Sequence, residues 1–310
     1  MINRIYKDNL KINISTGFLC NYNCSYCIQK ENKKVKNTVR EINEQLDITT
    51  KNINLKLFSN EFFLSLIDYQ VGFIGGEPTL YNLPKFIDNL TYNKKLKQIN
   101  ITTNLSADIS FFKQLYDLSL KNNFVLNLKG SYHYDMINYN DFFNKLKQLK
   151  ELGKIKINCN FVVINTIDKN TIYNFVKDCK KLNISYSLTP EKNPNDWKNN
   201  LINNDVIKIL NSLKNKEEKG YTIEIDDKKI ITNANGLLTK FKINSEPILK
   251  GYRCYPNISI IYNGLFHRMC GDNQFNINND NININDIVNY SIICNKDYCQ
   301  ACTFYKVESV

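Results

Sequence analysis

The pattern that most constrains the fold of this 310-residue chain is an alternation of short strand-like and longer helix-like segments over its first two thirds. Lys11 to Ser15 alternates polar and apolar residues, and Gln70 to Ile74, Gln98 to Thr103, Phe124 to Leu128, Lys156 to Ile164 and Ile184 to Leu188 are short runs of strand character. Leu55 to Ile67, Ser110 to Leu120, Asn140 to Leu152 and Asn170 to Leu182 carry helical periodicity instead. Six strands separated by helices are the signature of parallel βα units, so an α/β fold is expected.

Directly after the first of these strands stand three thiols, Cys20, Cys24 and Cys27, separated by three and then two residues. They make an incomplete metal site. A four-iron cluster and a structural zinc each take four donors, so a loop supplying three leaves one position open to water or a ligand. A Cys-x-x-Cys alone would equally fit a zinc loop or a redox pair. The end of the second strand adds Gly75-Gly76-Glu77-Pro78, where missing side chains allow a close approach to backbone.

Composition bounds the setting. Hydrophobic residues at 43% and charged residues at 23% are ordinary for a globular protein. The N-terminus lacks an apolar signal core and no run approaches the roughly 18 apolar residues of a membrane span, so a cytoplasmic protein without membrane partners is expected. In that compartment ten cysteines point to metal ligation rather than to disulfides. A formal charge of +11 fits an anionic partner, although Lys, Asn and Ile are abundant everywhere and much of the surplus also reads as solvated surface. No zinc-finger, RNP or homeodomain pattern accompanies the charge, so a nucleic-acid polymer is not expected.

The three-thiol loop, with Tyr26 before its last cysteine and Gly75-Gly-Glu-Pro78 closing the next strand, resembles the radical S-adenosylmethionine (radical SAM) superfamily. The resemblance implies a partial (β/α)6 barrel over 1–193. It implies a 4Fe-4S cluster on Cys20, Cys24 and Cys27, whose fourth iron takes the amine and carboxylate of SAM. One electron would then release methionine and a 5'-deoxyadenosyl radical that abstracts hydrogen from a substrate, with a flavodoxin- or ferredoxin-type donor. Chemistry in such barrels sits at the C-terminal strand ends. Cofactor-side residues are thus Tyr26, Gly75, Gly76, Glu77, Asn104, Ser131 and Asn160, with Glu77 fixing its turn and Asn104 equally readable as a residue that ends a strand. His133 is a SAM-contact candidate with Ser131, and His133, Asp135 and Glu191 are the catalytic candidates for moving protons. Cys159 and Cys179 read as small core residues.

Pro190, Pro194 and the polar stretch Asn195 to Asn199 mark a boundary, leaving 194–310 as a second unit. It carries a helix from Asp205 to Lys216, a hairpin within Thr222 to Ile231, and five cysteines. Ile258 to Met269 reads as strand, Asn-Gly turn and strand, which would bring Cys254 beside Cys270. Cys299 and Cys302 add a close pair, completing a closed four-thiolate site for a second 4Fe-4S cluster or a zinc ion. Cys294 is spare, and His267 reads as a strand-end residue. This unit resembles the twitch auxiliary-cluster module, a small α+β cysteine-rich unit that follows many radical SAM barrels. Twitch modules accompany peptide maturases, but those often carry a leader-recognition region, for which no room is expected before the first strand. The compact barrel and basic surplus lean toward a small phosphorylated or nucleoside-like substrate, and among such families the chain is most similar to the queuosine-salvage lyases, which release queuine from queuosine 5'-phosphate. Peptide modification is the alternative; an iron-sulfur electron carrier or zinc-stabilised binding module is the alternative of another class. Protein purified without oxygen is expected to carry about eight irons per chain if both sites are clusters, and about four irons with one zinc if the second is structural zinc, as elemental analysis would read.

Overall fold

The computed structural model describes residues 10–27, 29, 37–61, 63, 68–91, 95–193, 196–200, 202–213, 221–225, 228–232, 242–243, 246–247, 253–256, 258–266, 275–279, 281–283, 287, 291–293 and 304–308. Six strands, β1 (Leu10–Ser15), β2 (Tyr69–Ile74), β3 (Leu96–Thr103), β4 (Val125–Tyr132), β5 (Lys156–Val163) and β6 (Ser185–Pro190), pair in sequence order. Every pairing is parallel, as helical crossovers require. A seventh strand, β14 (Ile258–Ile261), adds parallel to β1, with Ile12 opposite Ile258 and Ile14 opposite Ile260. The sequence reading placed this segment wholly in the C-terminal unit. Its buried Ile258 and Ile260 instead extend the apolar face and cover an edge of β1 that would otherwise present unpaired backbone.

The crossovers are α1 (Val39–Asn52), α2 (Leu83–Leu90), α3 (Ile109–Asn122), α4 (Tyr139–Glu151) and α5 (Lys169–Lys181). The first lies earlier than the helix expected over Leu55 to Ile67. Thr38 and Glu41 form a capping box at its start, each side chain accepting from the other's backbone N–H, and α1 then runs into a π-helical turn, Ile53–Phe58. Its buried stripe includes Thr49 and Thr50 beside Ile42 and Leu46, which blurs the apolar period. The short α2, capped by Asn82, had no counterpart in the sequence reading.

The two faces of the parallel sheet differ in chemistry. Ile12, Ile14, Val71, Phe73, Ile99, Ile101, Leu128 and Phe161 turn to the helices and are fully buried. Tyr132, Phe142, Phe161 and Phe175 continue this core as an aromatic cluster with centroids 4.9 to 5.9 Å apart. On the opposite face the register stacks Lys11, Gln70 and Gln98 in one row, Asn13, Gly72, Asn100 and Asn127 in the next, then Ser15, Thr102, Lys129 and Asn158. Side-chain amides there satisfy one another: Gln98 donates to Asn100 Oδ1 at 2.7 Å, Asn127 donates to the same oxygen at 2.7 Å, and Asn158 donates to Asn127 Oδ1 at 2.8 Å. Asn100 in turn donates to Gln70 Oε1 at 3.3 Å. Central strands of a parallel sheet ordinarily bury apolar residues on both faces, so this amide layer marks a face built for something other than core.

Past β6 come the antiparallel pair β7 (Lys192–Asn193) and β8 (Asp196–Asn200), and α6 (Asn204–Leu213). The expected hairpin is present as β9 (Tyr221–Ile225) and β10 (Lys228–Thr232); β11 (Lys242–Ile243) and β12 (Glu246–Pro247) form a further small pair. A second sheet takes the order β10-β9-β16-β13-β15, with β13 (Arg253–Pro256) between β15 (Ile292–Ile293) and β16 (Phe304–Glu308). The Asn263-Gly264 turn after β14 is as read, with Gly264 at φ +86° and its N–H donating to Ile261 O at 2.8 Å. Among the described residues the return pairs through a bridge between Ile260 and Phe266. No helix among the described residues is long and apolar enough to cross a membrane. Asn100→Ala, which leaves the Asn127 amide without its acceptor, is expected to lower stability by about 1–3 kcal/mol in urea unfolding; an unchanged midpoint would show that the amide layer carries no stability.

Candidate metal centre

The three-cysteine loop begins where β1 ends, and backbone bonds press it against the end of β2. Thr16 N–H donates to Ile74 O, Gly76 N–H to Gly17 O and Glu77 N–H to Leu19 O, each at 2.8 Å. A Cβ on Gly76 would lie 2.0 Å from Leu19 O, and one on Gly75, at φ +141°, would lie 2.4 Å from Gly17 O. The two glycines therefore serve the contact between strand end and cysteine loop, a role the sequence reading had given to ligand approach alone.

Glu77 is buried beneath this contact. Its Oε1 accepts from Thr79 N at 3.0 Å, Thr79 Oγ1 at 2.7 Å and Thr103 Oγ1 at 2.7 Å, and its Oε2 accepts from Asn104 N at 2.6 Å. Burial pushes the carboxyl pKa up, against the pull of these donors. The side chain fixes the turn, as expected, and also ties β2 to β3. Asn104 passes the constraint onward: its Nδ2 donates to Asn21 Oδ1 at 2.9 Å, its Oδ1 accepts from Ser106 N, and Asn21 donates to Ser106 Oγ.

The other half of the loop rests on the segment after β4. His133 Nδ1 lies 3.3 Å from Cys24 Sγ and 3.1 Å from Tyr26 OH, with the Tyr22 ring edge-on and the Tyr26 ring stacked against the imidazole. Asp135 Oδ2 accepts from Ser25 N at 3.0 Å and Ser25 Oγ at 3.2 Å, and Met136 Sδ accepts from Asn23 N at 3.1 Å. Burial, then the neighbouring Cys24 and Asp135, hold the Tyr26 phenol well above its usual range. Asp135 Oδ1 is buried with no hydrogen-bond partner. Cys24 is buried, Cys20 and Cys27 are half-buried, and a tight turn joins Cys27 N to Cys24 O at 3.2 Å.

Two of the three catalytic candidates, His133 and Asp135, thus meet at the cysteine loop. Glu191 stands apart at the end of β6, its N–H on Val163 O and its carboxyl pKa raised by burial. Ser131 and Asn160 are paired in register on β4 and β5, and Asn160 Oδ1 accepts from Ser187 Oγ at 3.0 Å and Thr189 Oγ1 at 2.8 Å. Cys159 and Cys179 are core residues, as expected; the Cys179 thiol beside it and burial hold Cys159 well above the ordinary thiol range. Cys254 lies in β13, opposite Ile292 and Val307, whereas Cys270, Cys294, Cys299, Cys302 and His267 lie outside the described residues. Sequence reasoning missed Asn21, Tyr22, Thr79 and Met136, whose roles rest on contacts between distant segments and leave no local signal.

The triad fits a cluster by its chemistry. Three cysteines outside any disulfide stand on one loop at the strand ends, and a four-iron cluster takes thiolate ligands of this kind.

No protein-family model matches the chain, and no curated protein matches it by sequence. Among solved structures it is similar to anSMEcpe with bound AdoMet and the Cp18Cys peptide, at 15% identity and TM-score 0.56, covering 91% of this chain and 80% of that one. It is also similar to the coproporphyrinogen III oxidase HemN from Escherichia coli, described as a radical SAM enzyme, at 17% identity and TM-score 0.47, covering 64% of this chain and 48% of that one. SuiB from Streptococcus suis bound to S-adenosylmethionine matches at 19% identity and TM-score 0.39, covering 60% and 40%. The chain thus spans less than half the length of HemN and SuiB. The likeness to anSMEcpe is one of fold, an open parallel α/β sheet with helical crossovers. Gly76→Ala is expected to force the cysteine loop off β2, lowering stability by about 1–3 kcal/mol in urea unfolding and reducing iron uptake on reconstitution; wild-type values for both would contradict the clamp.

Proposed function

We propose that this chain is a radical SAM enzyme in which Cys20, Cys24 and Cys27 hold a 4Fe-4S cluster. The observation that carries the reading is three cysteines, none in a disulfide, on a loop clamped to the C-terminal ends of β2, β3 and β4. A cluster held there would supply the one-electron reduction of SAM that yields a hydrogen-abstracting radical, with a flavodoxin- or ferredoxin-type protein as electron donor. His133 lies against Cys24 Sγ and Tyr26 OH through the same ring nitrogen, so its role is to orient the loop and hold the Cys24 sulfur in place. Asp135 secures the backbone at Ser25. Ser131 and Asn160, side by side on the polar sheet face, and the backbone of Gly75 and Gly76 are the SAM-side contacts. Glu191, outside the loop network and with its carboxyl pKa raised, is the group left to exchange a proton with substrate.

The C-terminal part, 194–310, is proposed as the twitch-like unit, with Cys254, Cys270, Cys299 and Cys302 on a second 4Fe-4S cluster or a zinc ion. Supporting this, β13 carries Cys254 between β15, which ends one residue before Cys294, and β16, which starts two residues after Cys302. For the substrate, the polar sheet face and basic charge support a small phosphorylated nucleoside, queuosine 5'-phosphate being the specific candidate and queuine the product released. The likeness to anSMEcpe, solved with a bound peptide, favours peptide modification as the second reading.

Reduced, reconstituted protein is expected to form 5'-deoxyadenosine from SAM, and Cys24→Ala to abolish it; retained production in that variant would remove the triad from the chemistry. Free queuine on incubation with queuosine 5'-phosphate, detected by mass spectrometry, would establish the first substrate. Its absence together with turnover of a peptide would establish the second.

A further inference from the structure

The segment after β4 grips three consecutive residues of the cysteine loop. Met136 Sδ accepts from Asn23 N at 3.1 Å, His133 Nδ1 lies 3.3 Å from Cys24 Sγ, and Asp135 Oδ2 accepts from Ser25 N at 3.0 Å. The turn that presents these side chains is itself closed, with Met136 N–H and Ile137 N–H donating to His133 O at 2.9 and 3.1 Å. The imidazole is held by two rings, Tyr26 stacked at 6.0 Å between centroids and Tyr22 edge-on at 5.9 Å. Packing from several directions therefore fixes Nδ1 against the sulfur. Cys24 is also the most buried cysteine of the triad, 5% exposed where Cys20 and Cys27 are half-buried, so water competes least for its sulfur.

We propose that His133 is a positioning residue that sets how easily a cluster on Cys20, Cys24 and Cys27 is reduced, its Nδ1–H donating a hydrogen bond to the Cys24 sulfur. The inference rests on the radical SAM reading and adds to it the residue that tunes electron transfer. A thiolate bound to iron carries no hydrogen and can only accept, and an imidazole lone pair turned toward it at 3.3 Å would be repelled, so the hydrogen sits on Nδ1 when metal is bound. Tyr26 OH, 3.1 Å from the same nitrogen, is then the weaker of two acceptors, neutral where the sulfur is charged. Reduction adds one electron and no proton, so negative charge on the cluster sulfurs rises and the N–H dipole of His133 stabilises the reduced form more than the oxidised one. The hydrogen bond thus raises the midpoint potential and brings it nearer the reach of a flavodoxin- or ferredoxin-type donor.

The test uses the reconstituted full chain, and the triad's cluster is identified as the one whose electron paramagnetic resonance signal changes when SAM is added. His133→Phe keeps a ring between Tyr22 and Tyr26 and removes the nitrogen, whereas His133→Asn puts an amide N–H close to the place of Nδ1. In a redox titration at fixed pH the equilibrium constant for reducing that cluster is expected to fall about tenfold in His133→Phe, a shift of about 59 mV for one electron, and to recover most of the way in His133→Asn. An unchanged potential in iron-loaded His133→Phe, or His133→Asn shifted as far as His133→Phe, would overturn the proposal. A second measurement does not depend on either variant loading iron. The chain has two histidines, so His267→Gln leaves His133 as the sole one. Pulsed resonance of the reduced cluster in that protein is expected to show a weak nitrogen coupling that changes on growth with nitrogen-15-labelled histidine, together with an exchangeable proton, and absence of either coupling would overturn the hydrogen bond. A SAM-responsive cluster without the couplings would sink this proposal alone; a cluster that shows them but ignores SAM would leave the hydrogen bond standing and sink the radical SAM reading.

Discussion

The arrangement of this molecule depends on one buried carboxyl group. Glu77 sits at the end of β2 with almost no solvent contact and gathers donors from Thr79, Thr103 and Asn104. A buried carboxylate without such donors would be among the costliest groups in the fold; with them it becomes a rigid joint between two neighbouring strands. Everything above it inherits that rigidity. The Gly75-Gly76 backbone can press against Gly17 and Leu19 only because the turn beneath is fixed, and Asn104, aligned by the same carboxyl group, reaches Asn21 in the cysteine loop.

That joint also explains the division of labour along the strand ends. The β2 end holds the start of the loop through backbone contacts and the β3 end holds it through the Asn104 side chain, whereas the segment after β4 holds its middle through His133 against Cys24 and Tyr26, Asp135 on Ser25 and Met136 on Asn23. Three ligands on one short loop would otherwise sample many geometries, and a metal bound by only three protein donors gains most from a loop ordered beforehand.

The two sheets are joined by the chain itself. β13 belongs to the second sheet and β14, one residue later, to the first, so the strand that carries Cys254 leads directly into the one that covers β1. Lys56 strengthens the connection by donating to Ile277 O and Asn279 O, and Asn278 exchanges hydrogen bonds with Thr49 and Asn52. Residues 194–310 therefore contribute to the parallel sheet as well as to the second sheet.

By itself the sequence determined the order of strands and the site of the thiols, because period-2 alternation and cysteine spacing are local properties. The six strands, most of their helices, the role of Glu77 as a turn-fixing residue and the core positions of Cys159 and Cys179 were all readable in this way. Alternate polar residues in Lys11-Ile-Asn-Ile-Ser15 and Asn127-Leu-Lys-Gly-Ser131 were also in view, and their regular recurrence was the available signal for a polar inner face. Only the tertiary structure decided what that face holds. The contact of His133 with Cys24 and the capture of β14 by β1 join residues about a hundred or more positions apart, and such pairings follow from packing and register, which no local pattern encodes. The helix over Val39–Asn52 was missed for a related reason: its buried threonines find hydrogen-bond partners only in the folded chain, Thr49 on Tyr262 O and Thr50 on Leu46 O, so its buried side is not apolar in sequence.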